Sequence, residues 1–166
     1  MFREMRRKKQ LLSESDSTAI LEKGSYGVLS VLGDDGYPYG VPMNYIYEDG
    51  TLYFHCAKEG HKIDAIRREP KVSFCVVDSD EVVAEEYTTY FRSVIAFGKA
   101  EIVEDAAEKR DIITRLAKRF HPSDSEQHRD ALIEREFPPL GILRMKIEHM
   151  SGKEAIELVR KRTENV

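Results

Sequence analysis

Apolar and polar residues alternate most clearly between residues 28 and 57, which read VLSVLGDDGYPYGVPMNYIYEDGTLYFHCA. Apolar side chains at every second position indicate strands with one buried face. The pairs Asp35-Gly36 and Asp49-Gly50 are typical of tight hairpin turns, so the stretch predicts three antiparallel strands. These strands are expected from Tyr26 to Leu32, from about Tyr37 to Tyr47 and from Thr51 to Cys56.

Downstream of this meander the apolar spacing changes between that of strands and that of helices. Strands are expected over residues 71–77, 87–103 and 140–149, and helices over residues 16–23, 61–69, 106–120 and 124–136. Asp16 or Ser17 is expected to cap the first helix, and Gly24 to end it. Because the first three strands are joined by turns too short for a parallel crossover, the order favours an α+β, mainly β fold. We predict a small closed or split antiparallel barrel with peripheral helices.

Composition indicates one globular domain over residues 1–166, with an N-terminal arm over 1–14 and a C-terminal tail over 151–166. Lys and Arg number 26 against 30 Asp and Glu, a net charge of −4 that does not favour a nucleic-acid partner. No apolar run is long enough to span a membrane, and the charged N-terminus differs from a signal peptide. We therefore expect a cytoplasmic protein in which Cys56 and Cys75 are reduced and buried.

Several common sites are not supported by the motifs. The chain has no Gly-x-Gly-x-x-Gly after its first strand, no Gly-x-x-x-x-Gly-Lys-Ser/Thr and no Gly-x-Ser-x-Gly. His55, Cys56 and His61 are close in sequence, but neighbours on a strand point to opposite faces, so His55 and Cys56 cannot both face one ion. No metal is predicted.

The pair His61-Lys62 favours an anion instead. Both residues open a predicted helix, where positive side chains oppose the helix dipole. A bound phosphate would reverse that cost, because a helix N-terminus offers N–H groups and positive charge to anions. The alternative is two solvated polar side chains. Pro38 and Pro42 likewise mark either an irregular edge strand or a place where a ligand meets the backbone.

Taken in order, five segments resemble the flavin-binding split-barrel proteins related to pyridoxamine-phosphate oxidase, in particular the 5-nitroimidazole-resistance (Nim-type) branch. The segments are YGVLSVLGDDGYPYGVPMNYIY, LYFHCAKEGHKID, KVSFCVV, YFRSVIAFGKAEIV and IEHMSGKE, and the resemblance covers roughly residues 20–156. The resemblance implies an FMN-binding split β-barrel and a homodimer with two flavin mononucleotides at the subunit interface. It also implies a redox role towards small molecules, with nitro-group reduction in this branch.

The resemblance carries the cofactor residues over by position. Those implied beside the isoalloxazine are Val41, Pro42, Met43 and Asn44. Those implied along the sugar and the ring are His55, Cys56 and Ala57, and those implied at the phosphate are His61 and Lys62. The implied contribution of the partner subunit is Arg92, Ser93 and Val94, with Lys153 near the site. Cys56 departs from the small hydroxyl residue that relatives often carry, which puts a hydroxyl contact to the phosphate in doubt.

His55 stands where Nim-type proteins carry a histidine associated with the active site. It either polarises or protonates a substrate, as the catalytic residue, or forms a hydrogen-bonded wall. We predict an FMN-dependent, nitroreductase-like oxidoreductase that acts on nitro-aromatic or similar electrophilic small molecules with an unknown electron donor. Tyr39, Met43, Tyr45 and Phe54 are candidates for the flat walls of its pocket.

Two alternatives stay open. A pyridoxamine-phosphate oxidase would need a second basic cluster for the phosphate of its substrate, and the chain has none away from the termini. A non-catalytic protein could instead hold flavin or haem, with His121, His128 or His149 as an axial haem ligand, although the residues around these histidines do not support it.

Overall fold

Seven strands and five α-helices make up the computed structural model, which describes residues 2–164. The strands are β1 (Tyr26–Leu32), β2 (Pro38–Asn44), β3 (Ile46–Glu48), β4 (Thr51–Ala57), β5 (Lys71–Val83), β6 (Thr88–Ile102) and β7 (Leu140–Glu154). The helices are α1 (Glu14–Lys23), α2 (His61–Arg68), α3 (Ala106–Phe120), α4 (Glu126–Glu136) and α5 (Ile156–Glu164).

The strands form one sheet in the order β2-β1-β5-β6-β7-β4-β3, with every neighbouring pair antiparallel. Its two outermost strands, β2 and β3, are consecutive in the chain and are joined through Tyr45 alone. Two edges connected by one residue must lie side by side, so the sheet curves round into a barrel. The predicted mainly β, antiparallel barrel with peripheral helices is confirmed.

Both Asp-Gly turns have the backbone that their residues favour. Asp35 and Gly36 have φ of 56° and 78°, and Asp49 and Gly50 have φ of 46° and 77°. Two successive residues of positive φ give the chain the twist that joins antiparallel strands, and Asp-Gly adopts it at low cost. These turns explain why β1 ends and β4 begins where the alternation predicts.

The barrel interior is filled by the buried residues of the alternating pattern. Phe74 lies at its centre, with the ring of Phe54 edge-on at 5.0 Å between centroids and the ring of Tyr45 also edge-on at 5.0 Å. Each such fully buried large apolar side chain contributes roughly 1.5–3 kcal/mol. A second cluster lies beneath α3, where Ile112 and Leu116 occupy the predicted apolar stripe.

Four boundaries differ most from the prediction. Strand β5 continues to Val83 instead of ending at Val77, because residues 79–83 pair with β6. Helix α1 begins at Glu14 and is capped by Ser13, whose Oγ accepts from the Asp16 N–H at 3.0 Å, so the predicted cap at Asp16 or Ser17 is wrong. Strand β7 continues to Glu154 instead of ending at His149, because residues 149–154 pair with β6. The second predicted strand is two strands, β2 and β3. Within residues 2–164, no helix combines the length and the apolar character needed to cross a membrane.

Candidate functional site

The β3–β4 hairpin opens into two separate arms at Tyr45. The last pair of the β3–β4 ladder is Ile46 with Tyr53. If the ladder continued in the same register for two more residues, Asn44 would pair with His55, but it does not. Beyond this point β2 pairs with β1, and the second half of β4 pairs only with β7. The segments predicted to hold the cofactor ring, residues 41–44 and 55–57, are therefore the facing arms of the split.

Contacts to the end of α1 hold the split open. The Tyr45 N–H and the Asn44 Nδ2 both donate to the Ser25 carbonyl, at 3.2 and 3.0 Å. The buried Tyr45 hydroxyl donates to the Leu21 carbonyl at 2.8 Å, and burial raises the pKa of this phenol well above its ordinary value. The Tyr45 side chain is thereby fixed in the core, so the chain cannot continue the β4 ladder on this side.

The β2 arm alternates as a strand should. Met43 is buried in the core, Val41 is half-buried, and Pro42 and Asn44 are exposed. Asn44 keeps its amide oxygen available, since only its nitrogen is used in the bond to Ser25. Pro42 has no N–H to offer, so this arm contacts a ligand through carbonyls, apolar surface and one amide side chain.

The β4 arm presents His55 outwards and turns Cys56 towards the interior. Although the His55 ring reaches solvent, partial burial holds its pKa below the ordinary value, so the imidazole is neutral at pH 7. Burial raises the pKa of the Cys56 thiol, while the charges of Lys62 and Lys109 oppose that rise. Cys56 is therefore a protonated thiol with two ammonium groups in its surroundings.

The N-terminus of α2 offers donors without acceptors. No side chain caps it at Gly60, whose φ of 122° suits glycine, and no acceptor within residues 2–164 binds the N–H of His61 or Lys62. The half-buried Lys62 side chain makes no hydrogen bond or ion pair with any residue that the structure describes. Unpaired N–H groups and an unpaired ammonium together can hold an anion.

His61 is oriented differently from Lys62. Its ring stacks on Tyr39 at 4.3 Å between centroids and 15° between planes, and its Nε2 lies 3.5 Å from the Asp34 carboxylate. The imidazole thus ties α2 to the β1–β2 turn, where Asp34 also pairs with Arg68 at 3.2 Å. The phosphate role of His61 stays a prediction, and its backbone N–H is the group that the geometry leaves available.

Two cavities bear on the location of the site. One of about 640 Å³ adjoins Gly60 and is lined by both cations and acids, among them Lys58, Arg67, Lys109 and Glu104. The larger, of about 740 Å³, lies beneath the N-terminal arm and contains none of the predicted site residues. Among residues 2–164, no group of three His, Cys, Asp or Glu side chains is arranged to hold a metal.

Arg92, Ser93, Val94 and Lys153 lie on β6 and β7, outside both arms of the split. Ser93 pairs with Lys153, and Arg92 pairs with Glu154, which also holds its guanidinium. Pro42 pairs with Val28, Val28 with Cys75 and Cys75 with Ile95, so residues 92–94 lie near the level of the β2 arm but three strands away from it, about 14 Å along the barrel wall. The side chain of Val94 is buried in the barrel interior.

The prediction from sequence overlooked two features of the site. Gly60 leaves the start of α2 without a capping side chain, and the sequence signals it as the glycine before His61-Lys62. Glu154 closes the IEHMSGKE motif, but its buried position depends on pairing with β6, which no local pattern reveals.

Comparison with known proteins gives one family and several structures. Residues 13–154 match the family described as pyridoxamine 5'-phosphate oxidase. A candidate 5-nitroimidazole antibiotic resistance protein from Bacteroides thetaiotaomicron is 27% identical with a TM-score of 0.68, and the match covers 87% of this chain and 86% of that one. A FAD-binding protein from Mesorhizobium loti is 28% identical with a TM-score of 0.64, covering 88% and 97%.

A conserved hypothetical protein from Mycobacterium tuberculosis superposes with a TM-score of 0.77 at 21% identity, covering 91% of this chain and 90% of that one. At that identity the likeness concerns the fold alone. No curated protein sequence matches the chain.

Proposed function

Because the chain belongs to the pyridoxamine 5'-phosphate oxidase family, we propose that it binds a flavin, FMN, between two copies of itself and acts as an oxidoreductase. When bound, a flavin supplies the electron transfer, and the protein supplies binding, orientation and electrostatics. The substrates proposed are nitro-aromatic or similar planar electrophiles, reduced at the expense of a separate electron donor.

The observation that carries the proposal is the unpaired cation at the start of α2. Lys62 is half-buried and makes no hydrogen bond or ion pair with any described residue, and the N–H groups of His61 and Lys62 lack acceptors. Within the described part of the chain, Lys62 brings a positive charge without a counter-ion to N–H groups without acceptors, so this region fits the phosphate of a flavin nucleotide. Phosphate binding would also offset the unfavourable placement of Lys62 at the positive end of the helix dipole.

The facing arms of the split fit the remainder of the cofactor. The β2 arm offers the half-buried Val41, the exposed Pro42 and the free amide oxygen of Asn44. The β4 arm offers His55 and Ala57, both exposed. A flat heteroaromatic ring requires apolar contacts on its faces and a few polar groups at its edge, which is the combination these two arms present.

The outer face of the sheet supports a second copy. Val28, Val77 and Ile95 point outwards from three adjacent strands, with exposed fractions of 38%, 55% and 40%. An apolar surface that extends over three strands is typical of an interface. A dimer through this face would bring Arg92 and Ser93 of one copy towards the split of the other, whereas Val94, whose side chain is buried, would contribute only its backbone.

The 27% sequence identity with the candidate nitroimidazole-resistance protein supports nitro compounds as substrates. The neutral imidazole of His55 can accept a proton or donate a hydrogen bond at the exposed side of the β4 arm. Because the chain is also 28% identical to a FAD-binding protein, FAD is the second flavin nucleotide to test beside FMN.

The test begins with the nucleotide released on denaturing the purified protein, identified by chromatography. Anaerobic addition of a nicotinamide reductant and a nitroimidazole then measures turnover, with Lys62→Ala as the matched variant. We expect the wild type to release FMN and to turn over the nitroimidazole, and we expect turnover to be lower in Lys62→Ala. A colourless protein that takes up neither FMN nor FAD would contradict the proposal, and bound flavin without turnover would leave a flavin carrier in place of an enzyme.

A further inference from the structure

A buried carboxylate lies at the end of β7. Glu154 is 1% exposed and is the cross-strand partner of Arg92 in the β6–β7 ladder. Removing a carboxylate from water is unfavourable by several kcal/mol unless cations and donors satisfy it. Its position therefore requires a partner, and the partner is a residue expected to reach the cofactor.

The contact between Glu154 and Arg92 fixes the guanidinium at two points. Arg92 Nη2 donates to Glu154 Oε2 at 3.0 Å, and Arg92 Nε donates to the same oxygen at 3.3 Å. Anchoring two nitrogens of a planar fork restricts the rotation of the guanidinium plane. The Arg92 side chain is 35% exposed, and its third nitrogen, Nη1, has no acceptor among residues 2–164.

Glu154 is itself held by both ends of the chain. Its second oxygen, Oε1, lies 2.8 Å from Arg162 Nη2 on α5, as an ion pair without the alignment of a hydrogen bond. Its backbone carbonyl accepts from Gln10 Nε2 at 3.0 Å in a buried contact. Glu154 is therefore held at its carboxylate by two arginines and at its backbone by Gln10, which gives Arg92 a rigid base.

The charges do not cancel. Two guanidinium groups, those of Arg92 and Arg162, face one carboxylate, so the cluster keeps one positive charge at the surface. An electron-rich group, such as the polar edge of a flavin ring, would be attracted to the exposed nitrogen of Arg92.

We propose that Glu154 is the positioning residue for Arg92. It anchors Nε and Nη2 so that Nη1 points away from the sheet, towards the flavin held in the split of the second copy. This inference rests on the proposed function. The alternative is a purely structural role for Glu154. In that case, loss of the carboxylate would weaken folding and flavin binding to the same extent whether or not Arg92 is present.

A double-mutant cycle in the full-length protein separates these roles. FMN affinity is measured by fluorescence titration for wild type, Arg92→Gln, Glu154→Gln and the double variant, and urea unfolding of each apoprotein is measured separately. Each single change is expected to weaken FMN binding about tenfold, the loss that accompanies one misplaced hydrogen bond to a charged group. In the Arg92→Gln background, Glu154→Gln should cause no further loss of FMN affinity. Glu148→Gln, a more exposed carboxylate on the same strand, is the matched control and should leave FMN affinity unchanged.

The proposal would be overturned if the FMN affinity of the double variant fell by the product of the two single losses. It would also be overturned if Arg92→Gln bound FMN as tightly as wild type. In both of these results the wild type still binds flavin. Failure of the proposed function would look different, because the wild type would then bind no flavin, and this inference would be refuted with it. Should Glu154→Gln not fold, Arg92→Lys decides the question. It keeps the charge but loses the two-point anchor, so it should bind FMN as weakly as Arg92→Gln, and wild-type affinity would refute the positioning role.

Discussion

The hydroxyl of Tyr45 donates a hydrogen bond of 2.8 Å to the carbonyl of Leu21, at a place where neither group reaches water. Tyr45 is also the single residue between β2 and β3, the two ends of the sheet. One hydrogen bond therefore attaches the turning point of the barrel to the last turn of α1.

Replacing Tyr45 by Phe should lower the free energy of unfolding by about 1–3 kcal/mol, because the Leu21 carbonyl would stay buried without its donor. Urea unfolding followed by circular dichroism measures the loss. Tyr47→Phe removes a hydroxyl that makes no hydrogen bond with the described residues, and it serves as the control. Equal losses in the two variants would show that the Tyr45 hydroxyl contributes nothing specific.

Lys62→Ala should reduce FMN affinity by about 1.5–3 kcal/mol, the range for a hydrogen bond to a charged group. Riboflavin, which lacks the phosphate, should bind wild type poorly and the variant no worse. Lys71→Ala, which removes an exposed lysine at the start of β5, is the control and should leave both ligands unaffected. If Lys62→Ala weakened riboflavin and FMN equally, the phosphate assignment would be wrong.

Asn44→Ala should weaken flavin binding by roughly 0.5–1.5 kcal/mol, through loss of an amide contact to the polar edge of the ring. The same change removes the bond to Ser25, so the free energy of unfolding must be measured beside the flavin affinity. A loss of stability with unchanged FMN affinity and turnover would limit Asn44 to shaping the backbone.

The stability of the protein should depend on His55 at acidic pH. Its folded-state pKa lies below the ordinary value of 6.5, so the unfolded chain binds the proton more tightly. The stabilisation is present above pH 6.5 and is lost as the pH falls through the folded-state pKa. Urea midpoints should therefore decline more steeply below pH 6.5 in wild type than in His55→Gln, and parallel declines would contradict the shift.

The reactivity of the Cys56 thiol should depend on the nearby charge of Lys62 even when no ligand is bound. Burial raises the pKa of the half-buried Cys56 thiol and the ammonium of Lys62 opposes that rise, so Lys62→Ala should raise the pKa further and reduce the thiolate fraction. Alkylation of Cys56 by iodoacetamide, in a Cys75→Ser background at about pH 8, should then become slower. An unchanged alkylation rate would place Lys62 away from the thiol.

Elements with local signals could be predicted closely from the sequence. The limits of β1 and α3 agree with the prediction, because Gly24 and the Asp-Gly turn bound the first and a regular apolar stripe defines the second. The start of α1 was misplaced because Ser13, Asp16 and Ser17 can each act as a cap, and the choice depends on where the helix meets the barrel.

The division of residues 37–47 into two strands could not be read from the sequence. Alternation continues through Tyr45, and only the competition between β1 and β4 for the same segment separates β2 from β3. The site has the same limitation. His61 and Lys62 are visible as a pair, but the stacking of His61 on Tyr39 and the anchoring of Arg92 by Glu154 arise from contacts between distant strands.

The closure at Tyr45 also affects how the protein resists aggregation. A sheet whose first and last strands follow one another in the chain exposes strand edges chiefly where β2 and β4 part. There Pro42 removes one backbone donor from the β2 edge, which makes it a poor template for a foreign strand. The opening that is proposed to receive a cofactor would otherwise be the place where a second, misfolded chain could add a strand.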